Sequence, residues 1–189
     1  MKDGTLTAML SSLPDQAAMA GIRAQILHEG LEGNLVVAEK AFEQVWEMEG
    51  HEGIKAELTE FLVARHAYRG NLETARNLYA RFGSLGTSGD ILQAQAAALH
   101  ILACMVMDVK LAEAIKLWRD YVHLRIPAQY KKLSAFTGFA ELRQALKNSD
   151  SRSADLVFST LCALAQETGD AKIAIRAKEI FEKEVWRKW

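Results

Sequence analysis

The chain has 189 residues, of which half are hydrophobic and a quarter are charged, and its formal net charge is −1. This length and composition predict one globular domain, residues 1–189, with a continuous core. Only two prolines are present, good helix formers dominate, and alternating runs of Val, Ile and Thr are missing, so we expect an all-α fold.

Acidic groups outnumber basic ones by 11 to 4 in residues 1–60, and basic groups outnumber acidic ones by 19 to 13 in the rest. Such a chain can attract partners of either sign, or its own kind head to tail.

Targeting signals are sparse in the sequence. The richest apolar stretch, ILQAQAAALHILACMVM, is interrupted by Gln93, Gln95 and His100, so we expect no membrane span. The N-terminus lacks a basic segment that leads into an apolar one, so a secretory signal is not expected. Cys104 and Cys162 lie in apolar helical contexts and are expected to be reduced core residues. Together these features predict an intracellular, cytoplasmic protein, with an organelle as the alternative.

Glycines, caps and prolines divide the chain into helices in a regular way. Pro14 and Asp15 follow two serines and fit the first turn of a helix, which Gly30 and Gly33 are expected to end. The same signals predict about eight or nine helices, and Gly138 is an optional break within the range 128–147. Their expected ranges are about 15–29, 35–49, 54–69, 72–82, 90–107, 110–124, 128–147, 153–167 and 171–187.

The four helices taken as second helices of successive pairs each carry an alanine that is followed four residues later by an aromatic residue. The pairs are Ala38–Phe42, Ala75–Tyr79, Ala114–Trp118 and Ala177–Phe181. A small residue at a crossing lets two helices close up, and an aromatic side chain on the same face fills the gap to the next pair. The alanines are 37, 39 and 63 residues apart, so the pattern predicts helix-pair repeats with one extra helix in the third interval. The expected repeats are 15–50, 54–86 and 90–126, followed by an irregular helix over 127–148 and a last pair over 153–187.

The alanine–aromatic helices resemble the second helix of the tetratricopeptide repeat, a family of helical-hairpin repeats. The Gly-Asn-Leu turns at 33–35 and 70–72 and the segment TGDA at 168–171 resemble the turn of that family. The first helices depart from its pattern, because Leu62-Val63 and Ile101-Leu102 stand where the family has Leu-Gly. The resemblance implies a right-handed α-solenoid of antiparallel helix pairs. It further implies a non-catalytic scaffold or adaptor that binds another protein or a peptide, or itself as a homodimer.

The stretch FLVARHAYRGNLETARNLYARF is also similar to pentatricopeptide repeats, which bind single-stranded RNA one base per repeat. The positions that read bases in that family hold Arg23, Glu60 and Leu99 here, and a carboxylate or a leucine pairs poorly with a base edge. The chain also lacks the basic footprint of RNA-binding proteins. RNA binding is therefore the alternative hypothesis. The Lys and Asn clamp with which some tetratricopeptide proteins hold a carboxylate terminus is replaced by Arg23 and Leu27, which argues against a chaperone-tail adaptor.

Three regions are candidates for partner binding. The first helices would expose Arg23, Leu27, Glu57, Glu60 and Tyr68 on a concave surface. The segment 121–147 interleaves aromatic and basic residues, among them Arg125, Tyr130, Lys131, Lys132, Phe136 and Arg143. The C-terminal EVWRKW places Trp186 and Trp189 three residues apart. Each region has a structural alternative: a solvated face, an amphipathic helix that fills the third interval, and a cap that seals the last pair.

Patterns for catalysis and metal binding are few. His100 and Cys104 stand four residues apart on one helix and could supply two metal ligands, but two ligands do not make a site. The segment GSLGTSG lacks the lysine and the preceding strand of a phosphate loop. No nucleophile–base constellation can be assembled from the sequence. We therefore expect no enzyme, no metal, no cofactor and no small-molecule substrate.

Overall fold

The computed structural model describes residues 15–186, and all regular secondary structure in that range is helical. The prediction of an all-α fold is confirmed. A 3₁₀ helix spans Arg81–Ser84. The α-helices are α1 (Asp15–Glu32), α2 (Leu35–Glu47), α3 (Glu52–Tyr68), α4 (Leu72–Ala80), α5 (Gly89–Met107), α6 (Leu111–Val122), α7 (Ala128–Leu133), α8 (Ala135–Lys147), α9 (Ser151–Thr168) and α10 (Ala171–Trp186).

Two predicted helix boundaries are wrong, and both predictions rested on a glycine. α1 continues through Gly30, and α8 contains Gly138 within its regular hydrogen bonding. The helix predicted around Gly138 is instead split at Ser134, whose amide and hydroxyl both donate to the carbonyl of Lys131. The carbonyl of Ser134 accepts the indole N–H of Trp118 at 2.9 Å, which ties the split to the neighbouring helix α6.

Four of the turns between helices close in the same way. In each, a residue with a left-handed backbone follows a helix, and the amide of the next residue donates to a carbonyl five positions back. The left-handed residues are Gly33, Gly70, Ser149 and Gly169, after α1, α3, α8 and α9. Glycine suits this position because it adopts a positive φ without a steric penalty. The α8–α9 turn therefore matches the α1–α2 and α3–α4 turns, although Ser149 hides this in the sequence.

Contacts between the helices follow a consistent order. α1 packs against α2 and α3, and α3 packs against α4 and α5. α5 packs against α6 and α8, and α8 packs against α9 and α10. The short α7 bridges α5 and α9. Five helices, α1, α3, α5, α8 and α10, therefore touch one another in succession, and they are called the row helices below.

α5 lies between two clusters of buried apolar side chains. Its residues Ile91 and Leu102 belong to a cluster that includes α1–α4, whereas Leu99 belongs to a cluster that includes α6, α8, α9 and α10. A helix with core contacts on two sides is apolar around most of its circumference, as the sequence of α5 is. The four alanines of the alanine–aromatic pattern are all fully buried: Ala38, Ala75, Ala114 and Ala177.

α5 is also long and apolar enough, by length and composition alone, to cross a membrane, and it is the one such helix in the described range. The expectation that no stretch meets these criteria is thereby corrected. Gln93 and Gln95 are polar without being charged, so they interrupt the stretch less than an ionic side chain would. Half of the stretch is buried against other helices, and core helices of soluble proteins meet the same two criteria.

Candidate functional site

Four concavities lie between successive row helices: α1 and α3, α3 and α5, α5 and α8, and α8 and α10. Neighbouring concavities share residues. Ile54 and Glu57 line the first and second, Gln93 and Ala97 line the second and third, and Arg143 lines the third and fourth. The four concavities therefore adjoin one another in order along the row helices, and together they are called the groove below.

The groove is acidic between α3 and α5. Glu57, Glu60 and Asp90 line it there, together with uncharged residues. Arg23 reaches Glu57 from α1, with its Nε 3.0 Å from Oε2, and so offsets that charge. Glu60 and Asp90 form no ion pair with any residue of the described range. Burial, and secondarily the charge of Glu57, raises the pKa of Glu60, so a cationic ligand would relieve an unfavourable charge.

The groove is largely apolar between α5 and α8, although Gln93, His100 and Arg143 also line it. Ala96 and Ala97 face it from α5, and Ala140 faces it from α8. Two large apolar side chains stand at its wall: Phe136 is 71% exposed and Leu133 is 45% exposed. Small residues on the floor and large ones on the wall leave room for an apolar side chain from outside.

A polar cluster lies at the same α5–α8 interface. His100 Nδ1 is 3.1 Å from the hydroxyl oxygen of Thr137, and the thiol of Cys104 lies 3.9 Å from the His100 ring nitrogens. Glu141 is fully buried, and neither of its oxygens has a hydrogen-bond partner in the part of the chain that the structure describes. Burial raises the pKa of Glu141 to about 9, so this carboxyl is neutral at pH 7. Among the residues that the structure describes, no three His, Cys, Asp or Glu side chains are grouped so that they could hold a metal ion.

The groove carries an excess of one positive charge between α8 and α10. Arg143 lines it from α8, and Arg176, Glu179, Lys183 and Glu184 line it from α10. Arg176 is paired with Glu179 on its own helix, at 2.7 Å. Arg143 and Lys183 form no ion pair within the described residues. The charge of the groove therefore changes sign from its α3–α5 segment to its α8–α10 segment.

The candidates predicted on the first helices divide between the groove and its surroundings. Arg23, Glu57 and Glu60 line the groove. Leu27 is partly buried and packs against the N-terminal core cluster, so it contributes to stability. Tyr68 is exposed at the end of α3 and does not line any of the four concavities.

The basic candidates of the segment 121–147 are mostly engaged within the protein. Lys131 is 7% exposed, and its Nζ lies 2.6 Å from a carboxylate oxygen of Glu167. Lys132 Nζ lies 2.5 Å from Asp170. The first pair connects α7 to α9, and the second connects α7 to the α9–α10 turn.

The remaining candidates of that segment differ in their surroundings. The hydroxyl of Tyr130 lies against Gly89, at the start of α5, where a methyl group would come within 2.5 Å of it. Arg125 is exposed in the α6–α7 connection. The side chain of Trp186 and the whole of Trp189 lie outside the described residues.

Sequence reasoning missed the part of the groove that α10 lines. The alanine–aromatic pair on α10 grouped it with α2, α4 and α6, which do not line the groove. Arg176 and Lys183 were therefore not predicted as binding residues. The position of α10 follows from its contacts with α8, which are distant in sequence and leave no local signal.

Comparison with protein-family models gave no match, and searches of curated proteins and of solved structures gave no significant match to this chain. The groove is therefore the feature from which a function can be argued.

Proposed function

We propose that this protein is a non-catalytic protein–protein interaction scaffold that binds a peptide segment of its partner in the groove. The proposed architecture is a right-handed α-solenoid in which the row helices form the inner, concave layer. In this arrangement α1–α2, α3–α4, α5–α6 and α8–α9 are the helix pairs, and α10 begins a fifth. The successive contacts of the row helices and the matching turns after α1, α3 and α8 support it. The pairing departs from the sequence prediction, which joined α9 to α10 and treated residues 127–148 as an extra helix.

The observation that carries the proposal is the succession of adjoining concavities along all five row helices. Solenoids use extended concave surfaces to bind peptides and proteins. Phe136 is a large aromatic side chain that stands exposed at the middle of this surface, and aromatic residues are enriched at interaction hot spots. On one side of it lie Glu60 and Asp90, and on the other lie Arg143 and Lys183, none of which has an ion pair within the described residues.

Single-stranded RNA is a less favourable ligand for this surface. Of the three positions aligned with base-reading residues, Leu99 is fully buried and Arg23 is bound to Glu57. The third, Glu60, would repel phosphate. Lys131 and Lys132 are held in ion pairs with Glu167 and Asp170. We therefore keep RNA binding as an outcome that the experiments can reveal, with less support.

A random peptide display library panned against the whole chain tests the proposal. We expect enriched peptides that lose affinity by about tenfold when Phe136→Ser removes the aromatic side chain from the groove. Val109→Ser is the matched control, because Val109 is equally exposed at 71% but lies in the α5–α6 turn, away from the groove. Failure to enrich any peptide, or enriched peptides that respond equally to both substitutions, would contradict the proposed function.

A further inference from the structure

We propose that the occupant of the groove is an extended peptide with a basic residue, a large apolar residue and an acidic residue, each about three positions from the next. This inference rests on the proposed function and specifies its partner. Three adjacent segments of the groove carry it, and each has a distinct chemistry. The two outer segments have opposite charge, so they fix the peptide's order along the groove.

The α3–α5 segment selects the basic residue. Glu60 and Asp90 are without an ion pair in the described range, whereas the nearby Glu57 is already bound to Arg23. The pKa of Glu60 is raised because its carboxylate loses solvation and faces the charge of Glu57. A lysine or arginine side chain placed here would stabilise the ionised form of Glu60. An acidic peptide residue would be repelled by the carboxylates of Glu60 and Asp90.

The α5–α8 segment selects the apolar residue. Its floor is made of alanines, and Leu133 and Phe136 form an exposed apolar wall. Covering these two side chains removes apolar surface from water, which is the main source of affinity at most interfaces. A basic peptide residue at this position would lose its hydration beside Arg143, which also lines this segment.

The α8–α10 segment selects the acidic residue. Three basic and two acidic side chains line it, which leaves an excess of one positive charge. Arg143 and Lys183 have no ion pair in the described part of the chain, Arg176 is paired with Glu179, and Glu184 is the second acidic residue. Arginine also presents a planar fork that suits a carboxylate. A basic peptide residue would be repelled here, so a reversed charge order is disfavoured at both ends of the groove.

The spacing follows from helix packing. Each segment is one helix further along the row than the last, and packed helix axes are about 8–10 Å apart. An extended peptide advances about 3.3 Å per residue. One step along the groove therefore corresponds to about three peptide residues. The charged residues of the peptide are then about six positions apart, with the apolar residue midway.

The probe is a fluorescent synthetic peptide of serine and glycine that carries lysine, leucine and glutamate at this spacing, made in both chain orders. Fluorescence anisotropy with the full chain at low ionic strength is expected to show binding of one order. Serine in place of the leucine should weaken binding about tenfold. Glutamate in place of the lysine, or lysine in place of the glutamate, should weaken it about fivefold in each case.

Charge exchange between protein and peptide gives the sharpest test. Glu60→Lys should weaken binding of the parent peptide about fivefold, and the peptide with glutamate in place of lysine should recover that loss. Arg143→Glu should show the same behaviour with the peptide that has lysine in place of glutamate. Lys116→Glu is the control, because Lys116 is an exposed residue of α6 outside the groove and should leave all affinities unchanged.

The inference is overturned if neither order binds better than the serine–glycine peptide, or if charge exchange fails to restore affinity. It is also overturned if the groove instead holds a second copy, seen as a dimer that Phe136→Ser dissociates, or RNA, seen as salt-sensitive binding of oligouridylate. Display-selected peptides of another pattern that still require Phe136 would overturn this inference and leave the proposed function standing.

Discussion

Two helix crossings place a glycine under an aromatic ring, and they differ in how freely the ring can move. Where α1 crosses α3, a methyl group at Gly30 would lie 2.4 Å from a ring carbon of Phe61. Where α6 meets α8, a methyl group at Gly138 would lie 2.4 Å from a ring carbon of Trp118. Phe61 is half-buried, whereas Trp118 is fully buried and its indole N–H is bound to the carbonyl of Ser134.

The difference between the two crossings shows where this fold can accommodate a larger side chain in place of glycine. The Phe61 ring can turn toward solvent when its neighbour grows, because part of its surface is already free. The Trp118 ring has packed neighbours on all sides and a fixed hydrogen bond, so a clash with it must be absorbed by the helices themselves. The same contrast separates two carboxyls: Glu60 is partly exposed in the groove, and Glu141 is fully buried at the α5–α8 interface.

The largest expected effect is that of Glu141→Gln. The pKa of Glu141 is about 9 in the folded protein, against an ordinary value of 4.5. Between these values the unfolded chain has released the proton and the folded chain still holds it, so stability falls as pH rises. The loss approaches about 1.4 kcal/mol per pH unit, which amounts to several kcal/mol between pH 5 and pH 8. Glutamine cannot ionise, so denaturant titrations of this variant should lack that loss.

Glu60→Gln is the matched control, because it removes a carboxyl that water still solvates, and it should flatten the pH dependence far less. An unchanged pH dependence in Glu141→Gln would show that Glu141 ionises normally and is solvated in the folded protein. The contrast between the two carboxyls would then be wrong.

A smaller effect is expected for Gly138→Ala. The added methyl group would meet Trp118 at 2.4 Å and Leu161 at 2.9 Å, and both side chains are fully buried. Overpacking of this kind destabilises by about 1–3 kcal/mol, measured as the free energy of unfolding in urea, and the gain of about 1 kcal/mol from replacing a helix-internal glycine offsets part of that loss. Trp118→Phe shortens the ring and makes room, so the double substitution should cost less than the sum of the single ones. Strict additivity would show that the methyl group does not contact the ring.

The smallest effect is expected for Gly30→Ala. Alanine stabilises a helix interior by about 1 kcal/mol relative to glycine. Displacing the half-buried ring of Phe61 opposes that gain, so the free energy of unfolding should change by less than about 1 kcal/mol. A loss as large as that of Gly138→Ala would remove the distinction between a movable and a fixed ring.

The sequence predicted the helices well where their boundaries depend on neighbouring residues. The Gly-Asn-Leu turns mark ends that the structure places within a few residues of the prediction, whereas Pro14 lies outside the described residues. Helix-internal glycines misled the prediction, because a glycine that ends a helix and a glycine that admits an aromatic ring look alike in one dimension. Gly30 and Gly138 are of the second kind, and the ring in each case comes from a residue 20 or more positions away.

The candidate site was predicted in part. Arg23, Glu57 and Glu60 were placed on the groove side by helical periodicity. Lys131 was a candidate because it is basic, yet its charge is bound to Glu167, and a pairing across 36 residues has no local signal. The basic residues of α10 were overlooked because the alanine–aromatic pattern grouped that helix with α2, α4 and α6.

By itself the sequence determined the all-α class and the burial of the repeated alanines, because helix propensity and periodicity act over a few residues. It also fixed the opposite charge of the two ends of the chain. Only the tertiary structure decided that Glu60, Phe136 and Arg143 lie along one groove, since that depends on which helices touch. It also decided that Glu141 is buried without a hydrogen-bond partner among the described residues, because burial is set by neighbours that only folding brings together.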